Sequence, residues 1–140
     1  MSHWAAAWWK IAERMTKILN AQSEDYNTQD GDLTVYRYTD NLRDARLVSS
    51  KLENGRHILA VDIDMPAALV PSSTKGHYHL YIDHEMTWTT YTSLLMALAE
   101  AGIVEPGYAD ASIRRGATHL RTPWNRKSDD NGELKQRHLP

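Results

Sequence analysis

Apolar and polar positions alternate most sharply between Ile58 and Asp83, ILAVDIDMPAALVPSSTKGHYHLYID. Successive side chains of a strand point to opposite faces, so Leu59, Val61 and Ile63 share one face while Ile58, Ala60, Asp62 and Asp64 share the other. The second run repeats the pattern, with Tyr78, Leu80 and Ile82 in an apolar row opposite His77, His79, Tyr81 and Asp83. If both runs lie in one sheet and bury their aliphatic rows, carboxylates and imidazoles meet on its open face, a donor set suited to a metal ion and phosphates.

The rest of the chain supplies elements around this stretch. Trp4, Trp8, Ile11, Met15 and Ile18 recur at steps of four and three, which predicts an amphipathic helix over 2–20 with Ser2 as N-cap. Polar residues from Ala21 to Asp32 read as a loop, and Leu33 to Tyr38 as a first strand. A helix follows from Asn41 to Glu53, with Leu42, Ala45, Val48 and Leu52 on its inner side and Asn54-Gly55 as its stop. His57 to Ile63 is the second strand, broken by Pro66; Leu69 to Thr74 adds a short one; Lys75-Gly76 turns into a strand over His77 to Asp83. Thr87 caps a helix to Ala101 with Trp88, Tyr91, Leu95 and Leu98 inward and Gly102 as its stop. Pro106-Gly107 marks a turn, Ala109 to Arg115 a short helix, and Ala117 to Pro123 a last strand with His119 and Arg121 on the open side. The fold class is therefore α+β: a β-α-β-β-α-β core, ferredoxin-like or RRM-like, with an extra N-terminal helix.

Composition narrows the class. A chain of 140 residues predicts one α+β domain over 1–127, made of a helix at 1–20 and a core at 33–127, with a flexible tail at 128–140. No apolar run of about 18 residues and no signal-peptide pattern occurs, so no membrane partner is expected. The absence of cysteine excludes disulfides and thiolate zinc sites and suits a reducing interior, so cytoplasm is the expected location. A net charge of −2 argues against bulk attraction to nucleic acid, but Arg114, Arg115, Arg121, Arg126 and Lys127 cluster late in the chain. Five Trp and seven Tyr without Phe is a polar-handled aromatic set, suited to cores and to stacking platforms alike.

In order along the chain, Asp62-Ile63-Asp64, Pro71 to Tyr81 (PSSTKGHYHLY), Tyr108 to Asp110 and His119 to Lys127 (HLRTPWNRK) resemble the catalytic core of archaeo-eukaryotic primases and primase-polymerases. The similarity spans roughly Ile58 to Lys127, and the family's RRM-like module agrees with the order derived above. Those enzymes carry an acidic-x-acidic motif, a serine-x-histidine motif on a neighbouring strand, and a third acidic residue. Here His77 stands where the family has serine, with Ser72 and Ser73 just upstream. The resemblance implies a metal-dependent nucleotidyltransferase of phage or mobile-element DNA replication, in the host cytoplasm if phage-encoded. Asp62, Asp64, His79 and Asp110 would be catalytic. Asp62, Asp64 and Asp110, or Asp83 in place of Asp110, would hold Mg²⁺ or Mn²⁺, while Ser73, Lys75, His77, Arg121 and Lys127 would bind nucleotide and phosphates. Nucleotides, a single-stranded DNA or RNA template and other replication proteins would be its partners. The chemistry is intelligible from the residues: one cation activates the attacking hydroxyl and the other stabilises the departing pyrophosphate.

Two other classes fit the same residues. A catalytically silent RRM-like module would bind single-stranded nucleic acid or a replication partner through Tyr and His on the open face. A metal-dependent phosphoesterase or nuclease would use His77, His79 and Asp83, since H-x-H on one strand face chelates Zn²⁺ or another transition ion.

Overall fold

The computed structural model describes residues 3–21 and 36–125. The Ser2 cap, the loop after Ala21, the Leu33–Val35 part of the first strand, Lys127 and the tail at 128–140 lie outside the described residues. The chain is α+β, with three helices and five strands in antiparallel sheets among those residues. It divides into two compact units, Met1–Asp62 and Ile63–Pro140.

In the first unit, α1 (His3–Ala12) is followed by β1 (Thr16–Ala21), β2 (Tyr36–Tyr38) and β3 (Leu47–Ser49). The sheet order is β2-β1-β3, both pairs antiparallel. The helix expected to reach Asn20 stops at Ala12, because Thr16 and Ile18 are β-branched and β1 finds ladder partners on both sides. Ile18 stays buried by strand alternation instead of helical periodicity, and it joins Ala12, Met15 and Leu42 in the core of this unit. Opposite β2 the register shifts between Ile18 and Asn20, a bulge that turns the edge strand.

The helix expected from Asn41 to Glu53 is absent. The Asn41 side chain accepts the Arg43 N–H at 3.1 Å and holds a tight turn, which competes with helix propagation. The chain then enters β3, and Lys51 pairs with His57 across a hairpin whose Gly55 has φ +83°, a left-handed conformation that glycine adopts without steric cost. Leu42 is buried as the apolar pattern required, although no helix presents it. The strand expected over His57–Ile63 is reduced to that single bridge, and Leu59, Val61 and Ile63 are exposed. Alternation supplies a strand's side-chain pattern, but it does not supply the neighbour that the ladder needs.

The second unit holds β4 (Ala67–Pro71), β5 (Tyr78–Ile82), α2 (Trp88–Glu100) and α3 (Pro106–Arg115). β4 and β5 form a hairpin in which Leu69 faces Leu80 and Val70 faces His79. The turn at Lys75-Gly76 and the strand after it lie where the sequence places them. α2 does as well: the Thr87 hydroxyl accepts the Thr90 N–H, Leu95 is buried, and Ala101 closes the helix. α3 begins earlier than expected because Pro106 occupies its first turn, where a missing N–H costs nothing, so this proline starts a helix and not a turn. Residues 117–125 form no strand. They are tied to the helices by Thr118, whose hydroxyl accepts from Tyr91 and donates to Ser112 at 3.2 Å.

Candidate functional site

The carboxylates of the sequence reading are not drawn into a cluster. Asp62 closes the first unit and Asp64 stands near the start of the second; both are exposed, outside any strand, and neither joins a salt bridge among the described residues. Asp110 lies on the exposed side of α3, and its carboxylate pairs with Arg114 at 3.1 Å one helical turn on. Asp83 follows β5 directly, and its N–H donates to the Pro66 carbonyl at 2.9 Å. No group of three His, Asp or Glu side chains among the described residues is placed to hold a metal ion.

The hairpin does not bury the face that the sequence pattern assigns to the core. Tyr78, Leu80 and Ile82, the row expected to be buried, are exposed, whereas His79 is half-buried opposite half-buried Val70. His77 is exposed, and its N–H donates to Thr74 within the turn; Ser73 and Lys75 are exposed in the same turn. Arg121 is exposed on the irregular 117–125 segment. Tyr81 does reach electrostatic range of Tyr108 on α3, together with Tyr91 and Arg115. Partial burial is the main cause that pushes the Tyr108 hydroxyl above the ordinary tyrosine value, and a hydrogen bond with Thr118 opposes it. This network of Tyr91, Tyr108, Ser112 and Thr118 carries no short-range sequence signal, because its members come from α2, α3 and the segment that follows.

Aromatic and cationic groups do come together in the first unit. Alternation along β2 puts Tyr36 and Tyr38 on one side of an edge strand, with rings 6.5 Å apart and exposures of 41% and 63%. Arg37 lies between them in sequence. The turn after β2 carries Arg43, whose guanidinium sits 5.2 Å from the centre of the Trp9 ring, and Trp9 meets Trp8 edge to face at 6.1 Å.

Net charge does not separate the units, since 1–62 and 63–140 each carry eight Lys and Arg against nine Asp and Glu. The eight cations of the first unit all fall in 3–21 and 36–62, beside five of its carboxylates, and its other four carboxylates fall in 22–35, outside the described residues. The sequence expectations did not place Tyr36, Tyr38 or Arg43 among the site residues. The signal was present as Tyr36-Arg37-Tyr38, an aromatic pair at strand spacing around an arginine. Among the described residues, no helix is long and apolar enough to cross a membrane. No protein-family model, curated protein or solved structure matches this chain.

Proposed function

We propose that this chain binds single-stranded nucleic acid through its first unit. The observation that carries the reading is the exposed Tyr36–Tyr38 pair on an edge strand, with Arg37 between the two in sequence. Single-strand binders combine aromatic faces, on which bases stack at about 1–3 kcal/mol each, with cations that follow the phosphates. An edge strand leaves both rings accessible to unpaired bases, and a duplex, whose bases are already stacked, has none to offer. This is the silent-module alternative of the sequence reading, with the aromatic surface moved from the His77–Asp83 strand to β2. The antiparallel α+β architecture is compatible with a ferredoxin-like core, although the first helix of that order is absent at Asn41–Glu53.

The test is fluorescence anisotropy with labelled oligo-dT and oligo-rU, beside a duplex of equal length. Selective binding to single strands that falls about fivefold or more in Tyr36→Ala/Tyr38→Ala supports the reading. Equal affinity of that variant and the wild type refutes it.

A second reading, nucleotidyl transfer of the primase-polymerase type, is favoured by the Asp62-x-Asp64 pair, exposed and outside any salt bridge among the described residues. Two such carboxylates are available to Mg²⁺ or Mn²⁺ without first breaking an ion pair. Incubation with single-stranded DNA, labelled nucleotides and either metal, beside Asp62→Ala/Asp64→Ala, separates the readings. Extension products that vanish in the double variant support synthesis, cleavage products point to phosphoesterase chemistry, and intact bound DNA leaves the binding module.

A further inference from the structure

We infer that α1 carries a second stacking platform, Trp4 and Trp8, which takes further bases of the strand held by the tyrosine pair. The inference rests on the single-strand reading above and extends its site. α1 is apolar around most of its circumference, HWAAAWWKIA, and such a helix is normally buried on every side. Here only one side is buried: Ala12 lies in the core and Trp9 is half-buried beneath Arg43, whereas Trp4 is 73% exposed and Trp8 42%. These two indoles stand one turn apart on the same helical face, about 6 Å along the axis, which suits successive unstacked bases.

Charge selects the occupant. α1 contains Lys10 and no carboxylate, and the Arg43 guanidinium sits over Trp9, the ring that Trp8 meets edge to face. A phosphodiester strand offers flat apolar bases and a negative backbone together, as this surface requires. Two indoles fall well short of the roughly 800 Å² per partner that a stable protein interface needs, which argues against a second copy. The connection to the tyrosines is through the chain itself, since the turn that ends β2 delivers Arg43 to Trp9.

Length dependence of binding by the full chain tests this. Oligo-dT of about 4 and about 12 nucleotides, near the ends of the usual single-strand site range, are titrated into wild type and variants. In the wild type the longer strand binds more tightly than its greater number of registers explains. Trp4→Ala/Trp8→Ala removes that extra affinity, about fivefold or more, and leaves the short strand within about twofold. Tyr36→Ala/Tyr38→Ala weakens both lengths. Trp4→Tyr/Trp8→Tyr, which keeps a stacking face, retains most of the long-strand affinity and excludes a folding defect as the cause. If the alanine pair leaves the long strand unaffected, or weakens both lengths equally, the inference is overturned while the tyrosine site stands. A wild type that binds neither length overturns both. Loss of self-association in the alanine pair, with long-strand affinity intact, assigns the indoles to a second copy and also overturns the inference.

Discussion

At the scale of single residues, Thr118 is the most consequential polar side chain in the second unit. Its hydroxyl accepts from Tyr91 on α2 and donates to Ser112 on α3, and Ser112 is only 1% exposed. Thr118→Val keeps the shape but leaves the Ser112 hydroxyl without this partner in the interior, a cost of about 1–3 kcal/mol. A denaturant midpoint that does not move would show that the network contributes nothing. Tyr108 gives this unit an alkaline limit. Burial raises its folded-state value, so the unfolded chain releases the phenolic proton first as the pH climbs. The stability it contributes is complete below the ordinary tyrosine value near 10 and declines as pH rises through the higher folded one. Denaturation at pH 9 and pH 11 should show a smaller alkaline loss in Tyr108→Phe than in the wild type, and equal losses would remove Tyr108 from the account.

Among the elements, α3 owes its limits to two residues that are both specific and testable. Pro106 opens it, and Gly116 closes it at φ +83°, where its N–H reaches back to Ser112 and Ile113. A Cβ at Gly116 meets no atom within 4 Å, so only backbone strain opposes it, and Gly116→Ala should destabilise by about 1 kcal/mol. Gly107, inside the helix and equally open, should respond in the opposite sense, with Gly107→Ala gaining about 0.5 kcal/mol. Thermal melts of the two variants that shift the same way would contradict this assignment. The contrast also explains what was legible in the sequence. α2 and the β4–β5 hairpin were readable because their signals are local: a Thr cap, a Lys-Gly turn and unbroken periodicity. Asn41–Glu53 was misread because an apolar stripe at helical spacing also satisfies a turn that buries Leu42 followed by a short strand. Ile58–Asp64 was misread because alternation cannot report whether a neighbouring strand exists, and with that strand went the shared carboxylate and imidazole face. The Thr118 network and the Arg43–Trp9 pair join residues distant in sequence, and no local pattern announces them.

For the whole molecule, the cations that stand beside the aromatic groups decide how binding should respond to salt and to substitution. Each phosphate neutralised on a single strand contributes about 0.7 to the slope of log affinity against log salt. Arg37 and Arg43 accompany the aromatic groups of the first unit, so Arg37→Ala and Arg43→Ala should each flatten that slope by about 0.7. Arg114 already pairs with Asp110 on α3, away from the aromatic groups of the first unit in sequence, and Arg114→Ala should leave the slope unchanged. The carboxylate pair gives the sharper contrast. Asp62 and Asp64 repel a phosphate backbone unless a divalent cation stands between them and it. On the binding reading, Asp62→Ala/Asp64→Ala therefore raises affinity or leaves it unaltered, in Mg²⁺ and in EDTA alike. On the nucleotidyl-transfer reading, the same variant loses metal-dependent affinity for nucleotide and strand together with synthesis. Parallel titrations with and without metal thus assign the pair by the sign of one change. A metal-strengthened wild type that the double variant fails to reproduce would place the chemistry at Asp62 and Asp64, whereas metal-independent binding that survives the substitution would leave it with the aromatic surface of the first unit.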